Sequence, residues 1–290
     1  MNFGPLVSVD WLHAHLDEVT VVDVRWYLQV PGAEDGRSGL AEYEAGHIPG
    51  AVHLDIDTDL AAPASRSAGR HPLPTEAAFA AALGRMGIAQ GRPVVAYDDS
   101  GGAQAARLWY LLHVIGEPVA VLDGGLAAWV AAGGGLSTEV PVPYPVRRSV
   151  REWPTTRFVD ANGLARAIAG GTATVYDART ADRYSPAGYA RAGGGTPTAG
   201  GAVDPRPGHV PGALNRPWQD NLGADGRFLP PEQLRALYDT DRPVIAYCGS
   251  GVTACHDLLA LAVAGFDDTA LYPGSWSQWG ADLSRPTETA

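Results

Sequence analysis

The chain has 290 residues, 46% of them apolar and 18% charged, enough apolar material for two ordinary cores and too little charge for a disordered chain. Its formal net charge of −11 argues against a general nucleic-acid or anionic-membrane binder. Two cysteines seven residues apart furnish neither a disulfide framework nor a zinc ligand set.

The N-terminal stretch MNFGPLVSVDWLHAHLDEV has no basic region and no apolar run of signal length. No segment reaches the ~18 consecutive apolar residues of a membrane span. A soluble, cytoplasmic protein is therefore expected, in a reducing compartment where a reactive thiol survives. Along the chain, short β-branched runs (VVDV at 21–24, VVAY at 94–97, VAVL at 119–122) alternate with helical patterns such as AARLWYLLHVI. That alternation predicts α/β domains with largely parallel sheets.

The pattern is then written a second time. VVDVR at 21–25 returns as VYDAR at 175–179, HIPGA at 47–51 as HVPGA at 209–213, and VVAYDDSGG at 94–102 as VIAYCGSG at 244–251. LDGGLAAW, ending at Trp129, returns as YPGSWSQW, ending at Trp279. The offset is 154 residues at Asp23/Asp177, 162 at His47/His209 and 150 at both Asp98/Cys248 and Trp129/Trp279. Each half therefore carries its own insertion: 8 residues before its His-x-Pro-Gly in the second, 12 after it in the first. The proline-rich stretch VPVPYPVRRSVREWP, 140–154, reads as an extended connection. These marks predict a domain over 1–140, a linker over 141–156 and a second domain over 157–290.

The strand-like run 244–247 ends on Cys248, followed by Gly249, Ser250 and Gly251 and then a helical pattern starting near Val252. A cysteine taken alone is more often a buried packing residue. Here a helix start and a glycine-rich turn can aim N–H groups at the sulfur and stabilise a thiolate, with hydroxyls from Ser250 and Thr253 beside it. Ligands in parallel sheets sit beyond the carboxyl ends of the strands, where Cys248 lies. Cys255, among Ala254, Leu258 and Leu259, reads as core. A cysteine phosphatase would need arginine six residues after the nucleophile to clamp phosphate; that position is Ala254. The first-half counterpart, Asp98, cannot carry a transferable sulfur, so the first domain is expected to be non-catalytic.

The tandem halves, the paired HxPGA motifs and the loop CGSGVTA at 248–254 resemble the two-domain sulfurtransferases of the rhodanese superfamily, and within it most the 3-mercaptopyruvate branch. The resemblance implies two rhodanese-like domains and a ping-pong reaction through a Cys248 persulfide. Sulfur would pass from a small-molecule donor to cyanide, a thiol or a thioredoxin-like protein. It implies that Ser250, His71 and Asp57 form a relay protonating the departing enolate. It implies substrate-binding roles for Gly249, Gly251, Val252 and Thr253, and two arginines on the substrate carboxylate. Arg183 matches the first; Arg206 is the candidate for the second, with Arg191, in the Gly-rich insertion 186–204, as its rival. The neutral loop favours mercaptopyruvate over the thiosulfate dianion, which benefits from cations beside the nucleophile. Thiosulfate remains the alternative donor, and a persulfide carrier or redox sensor the alternative of another class. No cofactor and no metal is called for. His47 and His209 are read as turn residues, Asp23 and Asp177 as partners of Arg25 and Arg179. Trp276 is placed in the core or at the pocket mouth.

Overall fold

The computed structural model describes residues 3–29, 36–185 and 203–289. The first half forms a five-stranded, wholly parallel sheet in the order β1-β5-β4-β2-β3. Its strands are β1 (Leu6–Val7), β2 (Thr20–Asp23), β3 (Val52–His53), β4 (Val94–Tyr97) and β5 (Val119–Leu122). The helices of this half are α1 (Val9–His15), α2 (Gly39–Ala45), α3 (Glu76–Arg85), α4 (Ala105–Val114) and α5 (Gly125–Ala131). The second half repeats the plan with a four-stranded parallel sheet in the order β7-β6-β8-β9. It is built of β6 (Thr174–Asp177), β7 (Leu214–Asn215), β8 (Val244–Tyr247) and β9 (Thr269–Leu271). Its helices are α6 (Ala161–Ala169), α7 (Ala181–Tyr184), α8 (Pro231–Leu237), α9 (Ala254–Val263) and α10 (Ser275–Trp279). A single parallel bridge from Phe158 to Leu271 stands where β1 pairs with β5 in the first half.

The central strands β4 and β8 read as continuous apolar runs because they are covered on both faces, and all four residues of each are buried. The helices that follow them, α4 and α9, are apolar nearly all round, the mark of a helix enclosed on every side. They pack on each other across the domain boundary, and one buried cluster runs from Val94 and Leu108 of the first domain to Val244 and Leu258 of the second. This contact brings the carboxyl ends of the two sheets together. Between α5 and α6 the chain has no helix or strand. It is tied to the first domain by Val146 N–H to Gly84 O (2.9 Å), Arg148 to Glu117 (2.9 Å) and Trp153 Nε1 to Pro74 O (3.0 Å). Among the described residues, no helix is long and apolar enough to cross a membrane.

Candidate active site

Cys248 follows β8 directly and is 1% exposed. Its Sγ accepts from Gly251 N–H at 3.1 Å and, at longer range, from Ser250 N–H at 3.5 Å. Gly251 has φ +81°, and a Cβ there would stand 2.7 Å from Pro273 O, so the turn requires glycine. The turn delays α9, which begins at Ala254 rather than near Val252. The repeat segment YPGSWSQW braces the loop from behind: Ser275 Oγ accepts from Cys248 N–H (3.1 Å), while the N–H groups of Trp276 and Ser277 donate to the carbonyls of Cys248 (2.9 Å) and Gly249 (2.8 Å).

The first domain closes the site from the other side. Its insertion carries Asp57 and His71, and they meet the loop serine in a chain. Ser250 Oγ lies 2.8 Å from His71 Nδ1, and His71 Nε2 lies 2.9 Å from Asp57 Oδ1. The other Asp57 oxygen accepts from Trp26 Nε1 at 2.7 Å, and the Trp26 ring meets His71 edge-on at 5.2 Å. A carboxylate only accepts, so His71 carries its hydrogen on Nε2, leaving Nδ1 to accept from Ser250. Burial lowers the His71 pKa and favours the neutral ring. The hydrogen bond from His71 holds Asp57 below the usual carboxylate range.

Two guanidinium groups flank Cys248. Arg183 is gripped by Asp204 at 2.6 and 2.9 Å, and a Cβ on Gly249 would collide with Arg183 Nη2 and approach Arg70 Nη2 to 3.1 Å. Arg70 donates through Nη1 to Val203 O (2.8 Å), its Nε has no partner among the described residues, and burial followed by the charge of Arg183 lowers its pKa. The cavity between the domains is about 400 Å³ and is lined by Trp26, Arg70, Arg183, Cys248, Val252 and Thr253 among others.

Arg206 does not belong to this cavity. Its Nη2 donates to the carbonyls of Asp282 (3.1 Å) and Arg285 (2.9 Å), which ties the C-terminal segment. These hydrogen bonds hold it on that face; Arg70, from the first-domain insertion, stands beside Arg183 instead. Arg191 and most of the Gly-rich insertion lie outside the described residues. Trp276 is fully buried beneath Arg179, 4.7 Å from its guanidinium, and does not reach the pocket mouth. Asp177 and Arg179 form a buried pair at 2.6 Å, as do Asp23 and Arg25 at 2.7 Å. Cys255 Sγ donates to Gly251 O (3.3 Å), and burial pushes its thiol up to about 12.

The sequence by itself points to no role for Arg70 or Trp26. Arg70 adjoins His71 in GRHPLP, and Trp26 follows the Asp-x-Arg motif where the second half has Thr180; a departure from the repeat was the available signal.

Fold and site define a two-domain α/β enzyme with a cysteine in the loop after the central strand of its second domain and Asp98 at the same place in its first. The rhodanese-like domain model matches residues 8–132 and 160–282, and the chain belongs to that family. It is 41% identical to the "Probable 3-mercaptopyruvate sulfurtransferase" of Pseudomonas aeruginosa over 100% of this chain and 99% of the relative. It is 31% identical to an Arabidopsis thaliana protein named "Thiosulfate/3-mercaptopyruvate sulfurtransferase 1, mitochondrial", over 98% of this chain and 78% of that one. The crystal structure of a 3-mercaptopyruvate sulfotransferase from Escherichia coli superimposes with a TM-score of 0.78 at 32% identity, covering 94% of this chain and 99% of that one. The chain is a sulfurtransferase.

Proposed function

We propose that the chain transfers sulfur from 3-mercaptopyruvate through a Cys248 persulfide. The observation that carries this reading is the Ser250–His71–Asp57 chain beside the thiol. The Cys248 thiolate attacks the donor sulfur, forming the S–S bond as the C–S bond breaks. The electron pair of that bond leaves on the pyruvate enolate. The neutral His71, reached through Ser250, takes the donor's S–H proton and returns it to the enolate, so pyruvate departs and Cys248 holds an anionic persulfide. The loop amides stabilise that charge, and the outer sulfur then passes to cyanide or a thiol, restoring the thiolate. Arg183 and Arg70 hold the donor carboxylate; guanidinium suits it because it pairs with two oxygens at once. A thioredoxin-like protein is the acceptor proposed for the cell, and the reducing cytoplasm the compartment.

Thiosulfate is the second reading, and one feature favours it. Asp204 pairs with Arg183 and Arg179, while Arg70 has no ion pair among the described residues, leaving positive charge for a dianion. Steady-state transfer to cyanide from each donor, with Cys248→Ser and His71→Asn alongside, separates the readings. The expected result is no turnover in Cys248→Ser and, in His71→Asn, roughly a hundredfold loss confined to 3-mercaptopyruvate. Equal losses with both donors would remove the relay. Turnover of neither donor by a chain that still accepts a persulfide from a protein would replace the enzyme by a sulfur carrier.

A further inference from the structure

Arg107, on α4 of the first domain, is a buried charge that this mechanism leaves unused. It is 0% exposed, and among the described residues no carboxylate pairs with it. Its donors go to main-chain carbonyls instead. Nη1 reaches Gly251 O at 3.1 Å; Nη2 reaches His71 O and Leu60 O at 3.2 Å and Pro72 O at 3.4 Å; Nε reaches Leu60 O at 3.4 Å. Burying a cation without a counter-charge is costly, and an apolar side chain of similar size would pack against this interface at lower cost.

The carbonyls it gathers explain what the charge does. His71 belongs to the relay of the first domain. Gly251 belongs to the thiol loop of the second, and its N–H holds Cys248 Sγ. The relay crosses between the domains at the Ser250–His71 hydrogen bond, so its geometry depends on the register of one domain against the other. The repeat supplies a control. His256, on α9, reaches the carbonyl of Gly101 at 3.0 Å, and Gly101 is the first-domain counterpart of Gly251. Each interface helix thus sends one buried side chain to the other domain's loop. The one aimed at the inactive loop is an imidazole kept neutral by burial, its pKa lowered to about 4. The one aimed at the active loop is a guanidinium with several carbonyls in its grasp.

We propose that Arg107 is a positioning residue whose guanidinium locks the main chain of His71 to Gly251 and so sets the Ser250–His71 contact on which donor cleavage depends. This role rests on the relay reading given above, and the test separates the two. Arg107→Met, Arg107→Lys and His71→Asn are made in the full chain, and two single-turnover rates are followed by intact mass. Alkylation of Cys248 by iodoacetamide needs the thiol loop alone. Persulfidation by 3-mercaptopyruvate without acceptor needs the loop and the relay. In Arg107→Met the limiting persulfidation rate at saturating donor is expected to fall roughly ten- to hundredfold, with alkylation near the wild-type rate and partial recovery in Arg107→Lys. Equal losses in both rates would make Arg107 a mere support of the loop and overturn the proposal, as would an unchanged persulfidation rate. Should Arg107→Met fail to fold, Arg107→Lys carries the same comparison, since lysine keeps the charge but cannot span the carbonyls. A normal persulfidation rate in His71→Asn would remove the relay and this role with it. A slow His71→Asn beside an unaffected Arg107 variant would remove the role alone.

Discussion

The loops after β4 and β8 have the same frame and opposite contents. In the first, Asp98 fills its own nest: one oxygen accepts from Ser100 and Gly102 N–H at 2.9 and 2.8 Å, the other from Gln104 and Ala105 N–H at 2.8 Å. Burial nevertheless pushes its carboxyl above the ordinary range. In the second, the shorter Cys248 side chain takes only the amides of Gly251 and Ser250. The amide of Ala254, the repeat counterpart of Gln104, has no hydrogen bond among the described residues. On the proposed mechanism, the outer sulfur of a persulfide takes in the second loop the place that the carboxylate takes in the first. Access differs too. Gly101 and Gly102 lie against Leu222 and Phe228 of the second domain, whereas Cys248 opens onto a cavity lined by both domains. On the proposed mechanism, one frame anchors a carboxylate in the first loop and holds a persulfide in passing in the second, and a single side chain sets the difference.

Exchanging the contents is the harshest test of that contrast. Cys248→Asp should abolish transfer to cyanide by about a thousandfold or more, and adding Asp98→Cys to it should restore nothing, because the first loop is covered. Sulfur transfer recovered in the double variant would show that the frame alone suffices.

The interface histidine gives the next largest effect. Folded His256 stays neutral down to about 4, while an unfolded histidine takes its proton near 6.5. Between those values the unfolded state binds more protons, so stability is lost as pH falls below 6.5. The loss between pH 7.5 and pH 5 is about 2 kcal/mol. Urea unfolding of the wild type and His256→Gln at both pH values checks this; equal pH slopes would show that His256 is not the group responsible.

The cations give a smaller effect. Arg70→Met should raise the KM for either donor about tenfold, the value of one charge-assisted hydrogen bond, with little change in Cys248 alkylation. An unchanged KM would leave Arg183 as the sole clamp.

How much of this was legible in the sequence follows from which contacts are local. The repeat, the two parallel sheets and the Cys248 turn are encoded in short runs, and VVAY and VIAY read directly as buried strands. The Ser250, His71 and Asp57 positions came through family resemblance; their contact depends on two segments 179 residues apart, Ser250 and His71, that no periodicity connects. Arg206 lies away from the cavity: a charge near a motif says nothing about the direction its side chain takes, and here the carbonyls of Asp282 and Arg285 claim it. Nothing local marks Arg70 or Arg107, because their neighbours come together only once α4 and α9 pack and the domains share one cleft.

The central claim is that Cys248 alone receives the sulfur. Incubating the chain with 3-mercaptopyruvate without an acceptor, then mapping mass gain by peptide, tests it most directly. The account predicts one added sulfur atom on Cys248, none on Cys255 and pyruvate released in equal amount. Pyruvate released with no sulfur on Cys248, or sulfur carried on Cys255, would contradict it.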